Sequence, residues 1–435
     1  MKPIYFPGLA IVREVCKARP TGYMFMPKFR SGMWDGYISL MDGPKFPTGL
    51  LSRAVEALRA QGLKVELDAY GTHLTPPDWK VSGHELCGIT LRDYQIDAAL
   101  KLLKAERGIA KMATNSGKTE VIAVILKKLS MSALVIVHRK ELLYQTADRL
   151  RKRLGCDIGM IGDGVEDMQN ITVAMVQTLS NRDIDFSKNS IVIVDECHHT
   201  SSDQMMDVLF RIPGKYRFGF SGTPLKHDIL ADMKLIGATG EVLVDISNKY
   251  LVDSGYSAKP KVNIITVEST ELEDWDATYH DAYDMLIASN THRNKIIGDI
   301  AKVSAGTVLI LVERIEHGET LNNLIPGSVF VNGSMGTDYR KGILRDMERG
   351  GIFIATPIFD EGIDVPSIST LIIACGGLSS NRLLQRVGRG MRMKSYENVI
   401  NVFDFLDDTN EYLFRHSENR IDTYIKEGFE VTKYA

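Results

Sequence analysis

The chain has 435 residues, 44% of them hydrophobic and 25% charged, with a formal net charge of −3. That is room for two or three domains of about 150 residues each in an ordinary globular protein, and it excludes a molecule that is basic throughout. No apolar run approaches the roughly 20 residues of a membrane helix, and the first twenty residues turn charged too early for a signal peptide, so neither membrane nor secretory context is expected.

Five cysteines (Cys16, Cys87, Cys156, Cys197, Cys375) form no CxxC pair. A sparse, odd set speaks for reduced thiols in the cytoplasm and against a zinc site or disulfide frame. Charge is distributed unevenly. Residues 1–65 carry ten basic and four acidic side chains, about +6, which leaves about −9 for the remainder. A basic face on an acidic body suits a protein that grips a polyanion in one place, although from charge alone a solvated surface is the better reading.

Residues 1–85 are rich in Gly, Pro and aromatics and are expected to form a small separate α+β unit. It would hold short strands over 34–41, a helix over 50–61 and a strand near 65–67. Residues 75–85, "TPPDWKVSGHE", have linker composition. Within "LRDYQ" (91–95), Gln95 offers the paired donor and acceptor that can read an adenine edge, and Arg92 can stack on a base.

A strand over 108–111 then leads into "MATNSGKT" (112–119), and a helix is expected over 120–129. A loop between strand and helix, presenting backbone N–H groups at a helix N-terminus, cradles phosphates. Asn115, Ser116 and Gly117 would form the cradle, Lys118 would reach the β- and γ-phosphates, and the Thr119 hydroxyl would ligate Mg²⁺. The strict pattern has Gly where Met112 stands, and many such loops have Gly where Asn115 stands. The holding therefore falls mostly to Gly117, Lys118 and Thr119.

Apolar runs at 133–138, 171–176, 191–196 and 217–222 alternate with helical patterns such as 140–154, the texture of a doubly wound parallel sheet. The run at 191–196 ends in Asp195 and Glu196, at the carboxyl edge where open α/β sheets bind ligands. Asp195 is placed to hold Mg²⁺, and Glu196 to orient the attacking water. His198 reads as a polar coupler at the sheet edge. Ser221 and Thr223 in "SGTP" can relay hydrogen bonds, although a simple Gly-Pro turn explains them as well.

Residues 273–303 read as one long helical stretch or two helices, followed by a second α/β series at 307–312, 328–333, 351–356, 369–375 and 399–405. In "RLLQRVGRGMR" (382–392), Gln385, Arg389 and Arg392 share one helical face, and arginine is the group that stabilises charge on a transferring phosphoryl.

Taken in order, "LRDYQ", "MATNSGKT", "VIVHRKELLYQ", "VAMVQTL", "DECH", "SGTP", "LILVERIEHGETL", "IATPIFDEGIDVPS" and "QRVGRGMR" resemble the nine motifs of the superfamily 2 helicase motor over residues 88–410. Within it, "SNTHRNKII", "RIEHGETL" and the N-terminal "KFRSGMWDGYISL" resemble the phage UvsW-type DNA helicases, with XPB and RecG more distant. The resemblance implies an N-terminal DNA-binding domain (1–85) and two tandem RecA-like domains (86–255 and 256–435). It implies ATP as cofactor and branched DNA as partner, with 3′ to 5′ translocation in fork regression, branch migration and R-loop removal. The protein is expected to act as a monomer in the cytoplasm, the host's if phage-encoded.

The resemblance assigns γ-phosphate sensing to Gln385, Arg389 and Arg392, and nucleotide contacts to Gly362 and Asp364. It assigns strand contacts to His138, Arg139, Gln177, Thr178, Glu313 and Thr356, addressed to the phosphodiester backbone without sequence specificity. Lys28 and Arg30 would contact phosphates in the N-terminal domain. Trp34, Phe29 and Tyr37 are candidates for stacking on a base pair, although Trp34 is better explained as a small-domain core residue. The family runs on into a further C-terminal segment, which this chain is expected to lack. An RNA helicase, a motor subunit of a restriction or repair complex, and an ATP-gated binding module that unwinds nothing are the alternatives. "DECH" rather than "DEAD" weighs against the first, and Glu196 against the last.

Overall fold

A computed structural model of the chain describes residues 7–67, 77–199, 203–225, 228–268, 278–335, 342–343, 345–356, 368–377, 383, 387, 388, 391 and 398–434. The chain divides into two units, one of Met1–Met112 and Gly117–Asp245, the other of Ala113–Ser116 and Ile246–Ala435.

In the first unit, α1 (Pro7–Val15), a two-stranded antiparallel ribbon of β1 (Lys17–Ala18) and β2 (Ile38–Ser39), the short α2 (Pro27–Arg30) and α3 (Leu51–Ala60) come first. An eight-stranded sheet follows. Its strands are β3 (Arg107–Met112), β4 (Ala133–Val137), β5 (Gly159–Gly162), β6 (Val165–Asp167), β7 (Ile171–Met175), β8 (Ile191–Asp195), β9 (Tyr216–Ser221) and β10 (Val242–Ile246). They lie in the order β10-β3-β9-β8-β4-β7-β5-β6. The neighbours from β3 to β5 run parallel, and β6 is antiparallel to β5. Helices α4 (Asp93–Ala105), α5 (Lys118–Leu129), α6 (Lys140–Leu154), α7 (Val176–Asn181), α8 (Asp203–Arg211) and α9 (Ile229–Thr239) connect them. Every residue of β4, β8 and β9 is buried, as strands covered on both faces require, which is why they read as unbroken apolar runs.

The N-terminal elements are joined to this sheet domain through α9. Val12, Cys16, Ala18, Leu50 and Ala54 share one apolar cluster with Met233 and Ile236 of that helix. The approach is close. A Cβ on Gly49 would lie 1.9 Å from the Ile236 carbonyl oxygen, so only glycine fits. Polar ties flank the cluster. Arg53 forms a bidentate pair with Glu241, and Thr21 donates its hydroxyl to Asp228, whose other carboxylate oxygen accepts from the Ala231 N–H at the start of α9.

The second unit holds α10 (Asn248–Asp253), β11 (Lys259–Glu268), α11 (Tyr279–Tyr283), α12 (Thr291–Val303), β12 (Thr307–Leu311), α13 (Ile315–Leu324), β13 (Val329–Val331), β14 (Gly351–Ala355), β15 (Thr370–Ile373), β16 (Val399–Asp408), α14 (Glu411–Lys426) and β17 (Glu430–Tyr434). Its seven strands are all parallel, in the order β13-β14-β12-β15-β16-β11-β17. Both sheets are RecA-like, as the sequence leads one to expect.

Several expectations are corrected. Residues 65–67 form no strand. Between 34 and 41 only Ile38–Ser39 is strand. For residues 273–303 the two-helix alternative holds over the described part, 278–303, which is broken at Asn290, whose side chain caps α12 at the Arg293 N–H; a π turn over Asp284–Ala288 precedes the break. Strands β11 and β17 and helices α1 and α14 are not foreseen by the sequence pattern.

Among the described residues, no helix is long and apolar enough to cross a membrane.

Candidate active site

Three neighbouring strands in the first unit, β3, β9 and β8, end side by side. What leaves their carboxyl ends is the 113–119 loop, Ser221 with Thr223, and Asp195 with Glu196. Parallel pairing places these chemistry-bearing residues on one edge although they are spread from 113 to 223 in sequence.

Met112 is the last residue of β3 and fully buried. A strand residue facing the core needs a side chain, so the missing glycine there costs the loop nothing. The turn falls further on. Asn115 has φ 66° and Gly117 φ 80°, both left-handed, and asparagine is among the few L residues that adopt this region readily. At Gly117 the left-handed backbone favours glycine, and a Cβ would also lie 2.2 Å from Gln95 Nε2, which would have to move. Ser116 is buried and closes the turn by donating its hydroxyl to the Ala113 carbonyl at 2.7 Å. The loop ends at the first residue of α5, so that helix's N-terminal N–H groups face the space above it.

Gln95 has a second duty. Its side-chain oxygen accepts from the Arg92 N–H at 2.9 Å in a capping box that starts α4, while its amide nitrogen lies towards Gly117. The Arg92 guanidinium donates to Tyr94 Oη at 2.9 Å.

Lys118 Nζ lies 3.1 Å from Glu196 Oε1. Burial disfavours the ammonium, but Glu196 and then Asp195 outweigh it and hold Lys118 above its ordinary pKa. Burial likewise opposes ionisation of Glu196, and Lys118 with His198 reverses this, holding the carboxyl well below the usual range. Asp195 moves the other way. Burial and the neighbouring Glu196 charge raise it.

Glu196 itself has φ 49°, a left-handed conformation that costs an L residue on the order of 1–2 kcal/mol. The turn aims its carboxylate at Lys118 and His198 instead of along the strand. His198 Nδ1 stands 2.9 Å from Ser221 Oγ and 3.4 Å from Glu196 Oε2, and the Thr223 N–H donates to Ser221 Oγ at 3.1 Å. Glu196, His198, Ser221 and Thr223 thus form one polar chain across the sheet edge.

No group of three or more His, Cys, Asp and Glu able to hold a metal occurs among the described residues. For a hard cation the site offers the Thr119 hydroxyl in the first turn of α5 and the buried Asp195 carboxylate. This hard-oxygen set fits Mg²⁺, which is held by one or two protein ligands together with substrate phosphates.

On the same sheet, β4 and β7 are neighbours and carry the next pair of predicted residues just past their ends. Gln177 Nε2 donates to the His138 carbonyl at 2.9 Å, and Arg139 N-caps α6 next to it. Thr178 lies in α7. In the second unit, Glu313 and Thr356 follow the ends of the adjacent strands β12 and β14. Gly362, Asp364, Gln385, Arg389 and Arg392 lie outside the described residues.

Sequence reasoning missed Glu120, which is buried and pairs with Arg149 at 2.8 Å and Arg153 at 3.4 Å, tying α5 to α6 beneath the loop. The available signal was an acidic residue in a helical turn that otherwise reads as apolar.

Residues 88–226 match the family described as type III restriction enzyme, res subunit, residues 292–394 the helicase conserved C-terminal domain, and residues 9–68 the N-terminal domain of the DNA helicase UvsW. The ATP-dependent DNA helicase uvsW of Enterobacteria phage T4 is 25% identical over 96% of this chain and 93% of its own length. The DNA 3'-5' translocase XPB2 of Sulfurisphaera tokodaii is 27% identical over 72% of this chain and 81% of its own. In fold, a fragment of a putative HsdR subunit of a type I restriction enzyme from Vibrio vulnificus is similar with a TM-score of 0.62 and 20% identity, over 91% of this chain and 75% of that one. With the phosphate loop, the acidic strand end and a match to the UvsW N-terminal domain in one chain, this protein is an ATP-dependent DNA helicase similar to those of UvsW type.

Proposed function

We propose that this DNA helicase couples ATP hydrolysis to the remodelling of branched DNA, by fork regression, branch migration and R-loop removal, moving 3′ to 5′ as a monomer in the cytoplasm. The observation that carries the ATPase reading is the Lys118–Glu196 pair at 3.1 Å beside buried Asp195, formed across β9 between the ends of β3 and β8. The DNA reading is supported by the match of residues 9–68 to a DNA-helicase domain and by the basic excess of that segment.

The loop residues Asn115, Ser116, Gly117, Lys118 and Thr119 hold the triphosphate, with Gln95 and Arg92 at the base. Arrival of the γ-phosphate draws Lys118 away from Glu196, because a phosphate competes with a carboxylate for the ammonium. Glu196 is then released to orient water, and held ionised it can take that water's proton. Thr119 and Asp195 would hold Mg²⁺, which would supply charge neutralisation for the phosphates. The Glu196–His198–Ser221–Thr223 chain reports the state of the carboxylate to the neighbouring strand end. Gly362 and Asp364 contact nucleotide, and Gln385, Arg389 and Arg392 sense the γ-phosphate. His138, Arg139, Gln177, Thr178, Glu313 and Thr356 grip the tracking strand by its backbone, while residues 1–85 hold the duplex arm.

The test compares unwinding of a Holliday junction, a fork and a linear duplex, with RNA as the counter-substrate for ATPase stimulation. Branched DNA is expected to be preferred. Glu196→Gln is expected to lower hydrolysis by about 10²-fold or more. Unchanged ATPase and unwinding rates in that variant would remove Glu196 from the site.

A further inference from the structure

The N-terminal elements present an apolar and basic tip that the motor chemistry does not use. Five aromatic side chains lie between residues 23 and 37, and four are engaged within the fold. Tyr23 packs edge-on against Phe29 with ring centroids 4.8 Å apart. The Arg19 guanidinium covers both Tyr23, at 4.7 Å, and Tyr37, at 4.4 Å. Trp34 donates its indole N–H to the Tyr37 carbonyl at 2.7 Å. All four are half-buried, and Trp34 in particular is fixed as a packing residue.

Phe25 differs. It ends a short 3₁₀ turn that starts from left-handed Gly22, and it is 67% exposed. Met24 and Met26 on either side of it in sequence are 52% and 38% exposed, and Met33, beyond α2, is 78% exposed. The only ring contact of Phe25 among the described residues is the Arg30 guanidinium at 5.7 Å, and Arg30 Nε is tied back to the Met24 carbonyl. Neither Lys28 nor Arg30 pairs with a carboxylate among the described residues. An exposed aromatic ring among methionines keeps apolar surface in contact with water, a cost that a partner covering it removes, and the adjacent cations favour a polyanion with stackable faces as that partner.

The tip is also firmly mounted. Thr21, at the base of the turn, is bonded to Asp228 at the head of α9, and Gly49 seats against that helix's last turn. Force generated in the sheet domain therefore reaches Phe25 through packed elements and not through a flexible tether.

We propose that Phe25 is the residue that stacks on the terminal base pair at a DNA junction and holds it open, with Met24 and Met33 flanking the displaced base and Lys28 and Arg30 on the adjacent phosphates. The inference rests on the helicase function proposed above and adds the group at which strands part. Trp34, Phe29 and Tyr37 hold that group in place from behind.

The experiment measures base pairs opened per ATP hydrolysed on a forked duplex, for the full chain. Phe25→Ala is expected to lower that ratio by about tenfold, the range for removing one base–aromatic stack, and Phe25→Trp is expected to restore it. Val303→Ala, 84% exposed on the second unit, serves as a surface control expected to match the unsubstituted chain. A Phe25→Ala protein that opens as many base pairs per ATP overturns the proposal, as does a change in oligomeric state on sedimentation, which would make the tip a self-association surface. If the unsubstituted chain hydrolyses ATP but opens no DNA at all, the helicase reading falls along with it.

Discussion

Asn115 and Glu196 both stand in left-handed backbone, and both stand at the phosphate end of the sheet. The two are not equivalent. Asparagine tolerates this region, whereas glutamate does not unless its surroundings enforce it. Lys118 on one side and His198 on the other supply that enforcement for Glu196. Replacing Asn115 by Gly is therefore expected to keep ATP hydrolysis and to leave the melting temperature within a few degrees. Asn115→Ile puts a β-branched side chain at φ 66° and is expected to lose most hydrolysis, because the loop must rearrange. Steady-state ATPase with a thermal melt on both variants separates loop geometry from global stability. If the isoleucine variant were fully active, the turn would have to form by some other backbone path. The residue types at 115 and 196 were legible from sequence, but their backbone conformation was not. Nothing local distinguishes a glutamate at the end of a strand from one turned through positive φ. That turn is imposed by Lys118, brought in from the end of another strand, and by His198 as Ser221 of the next strand holds it.

At the level of elements, the central strands were legible because burial on both faces makes them continuous apolar runs, and β4, β8, β9 and β12 fall where those runs lie. The elements missed share the opposite property. Strand β11, "KPKVNIITVE", begins with alternating burial and contains Pro260, so it lacks a run. Its pairing over ten residues with β16 is a tertiary fact. Helix α14 is mostly polar and hides its purpose in Arg420, which is buried against Asp404, with Tyr424 Oη donating to the same carboxylate at 2.8 Å. A similar lock fastens α12. Arg293 is fully buried, donating to Asp407 at 2.8 Å and to the Ala374 carbonyl at 2.7 Å. Next to it, His317 of α13 bonds Asn294 at 2.9 Å. Burial, and then the Arg293 charge, lower His317 to about 3. The unfolded chain takes up a proton near pH 6.5 that the folded chain refuses until about pH 3. Stability contributed by the neutral ring is thus complete above the higher value and declines as pH falls below it, by about 1.4 kcal/mol per unit. His317→Gln, which keeps a donor near Asn294, is expected to lose about 2 kcal/mol less than the unsubstituted chain between neutral pH and about pH 5. Denaturant melts at the two pH values measure the difference. Parallel acid losses in the two proteins would mean that His317 does not titrate between the two states.

Across the whole molecule, charge and chemistry occupy different places. The net charge of −3 conceals about +6 within residues 1–65. The phosphate loop lies past that segment, on the edge formed by β3, β8 and β9. DNA grip by the N-terminal elements and nucleotide chemistry should therefore separate under mutation. Lys118→Ala removes the ammonium that meets the phosphates and is expected to abolish hydrolysis, while affinity for a forked duplex in the absence of nucleotide stays within about threefold. Lys28→Ala and Arg30→Ala are expected to do the reverse. Each leaves the phosphate loop intact and weakens DNA binding for all sequences alike. Each also reduces the slope of log affinity against log salt by about one, because one fewer phosphate is neutralised. Fluorescence anisotropy over a salt titration reads both quantities from the same sample. Disappearance of binding together with hydrolysis in Lys118→Ala would show that the loop, and not the basic segment, organises the DNA site. An unchanged salt slope in Lys28→Ala and Arg30→Ala would place the phosphate grip elsewhere on the chain. Because the basic segment shares its core with α9, unfolding would appear in all three variants as a lowered melting temperature, and it is distinguished in that way from a weakened hold on DNA.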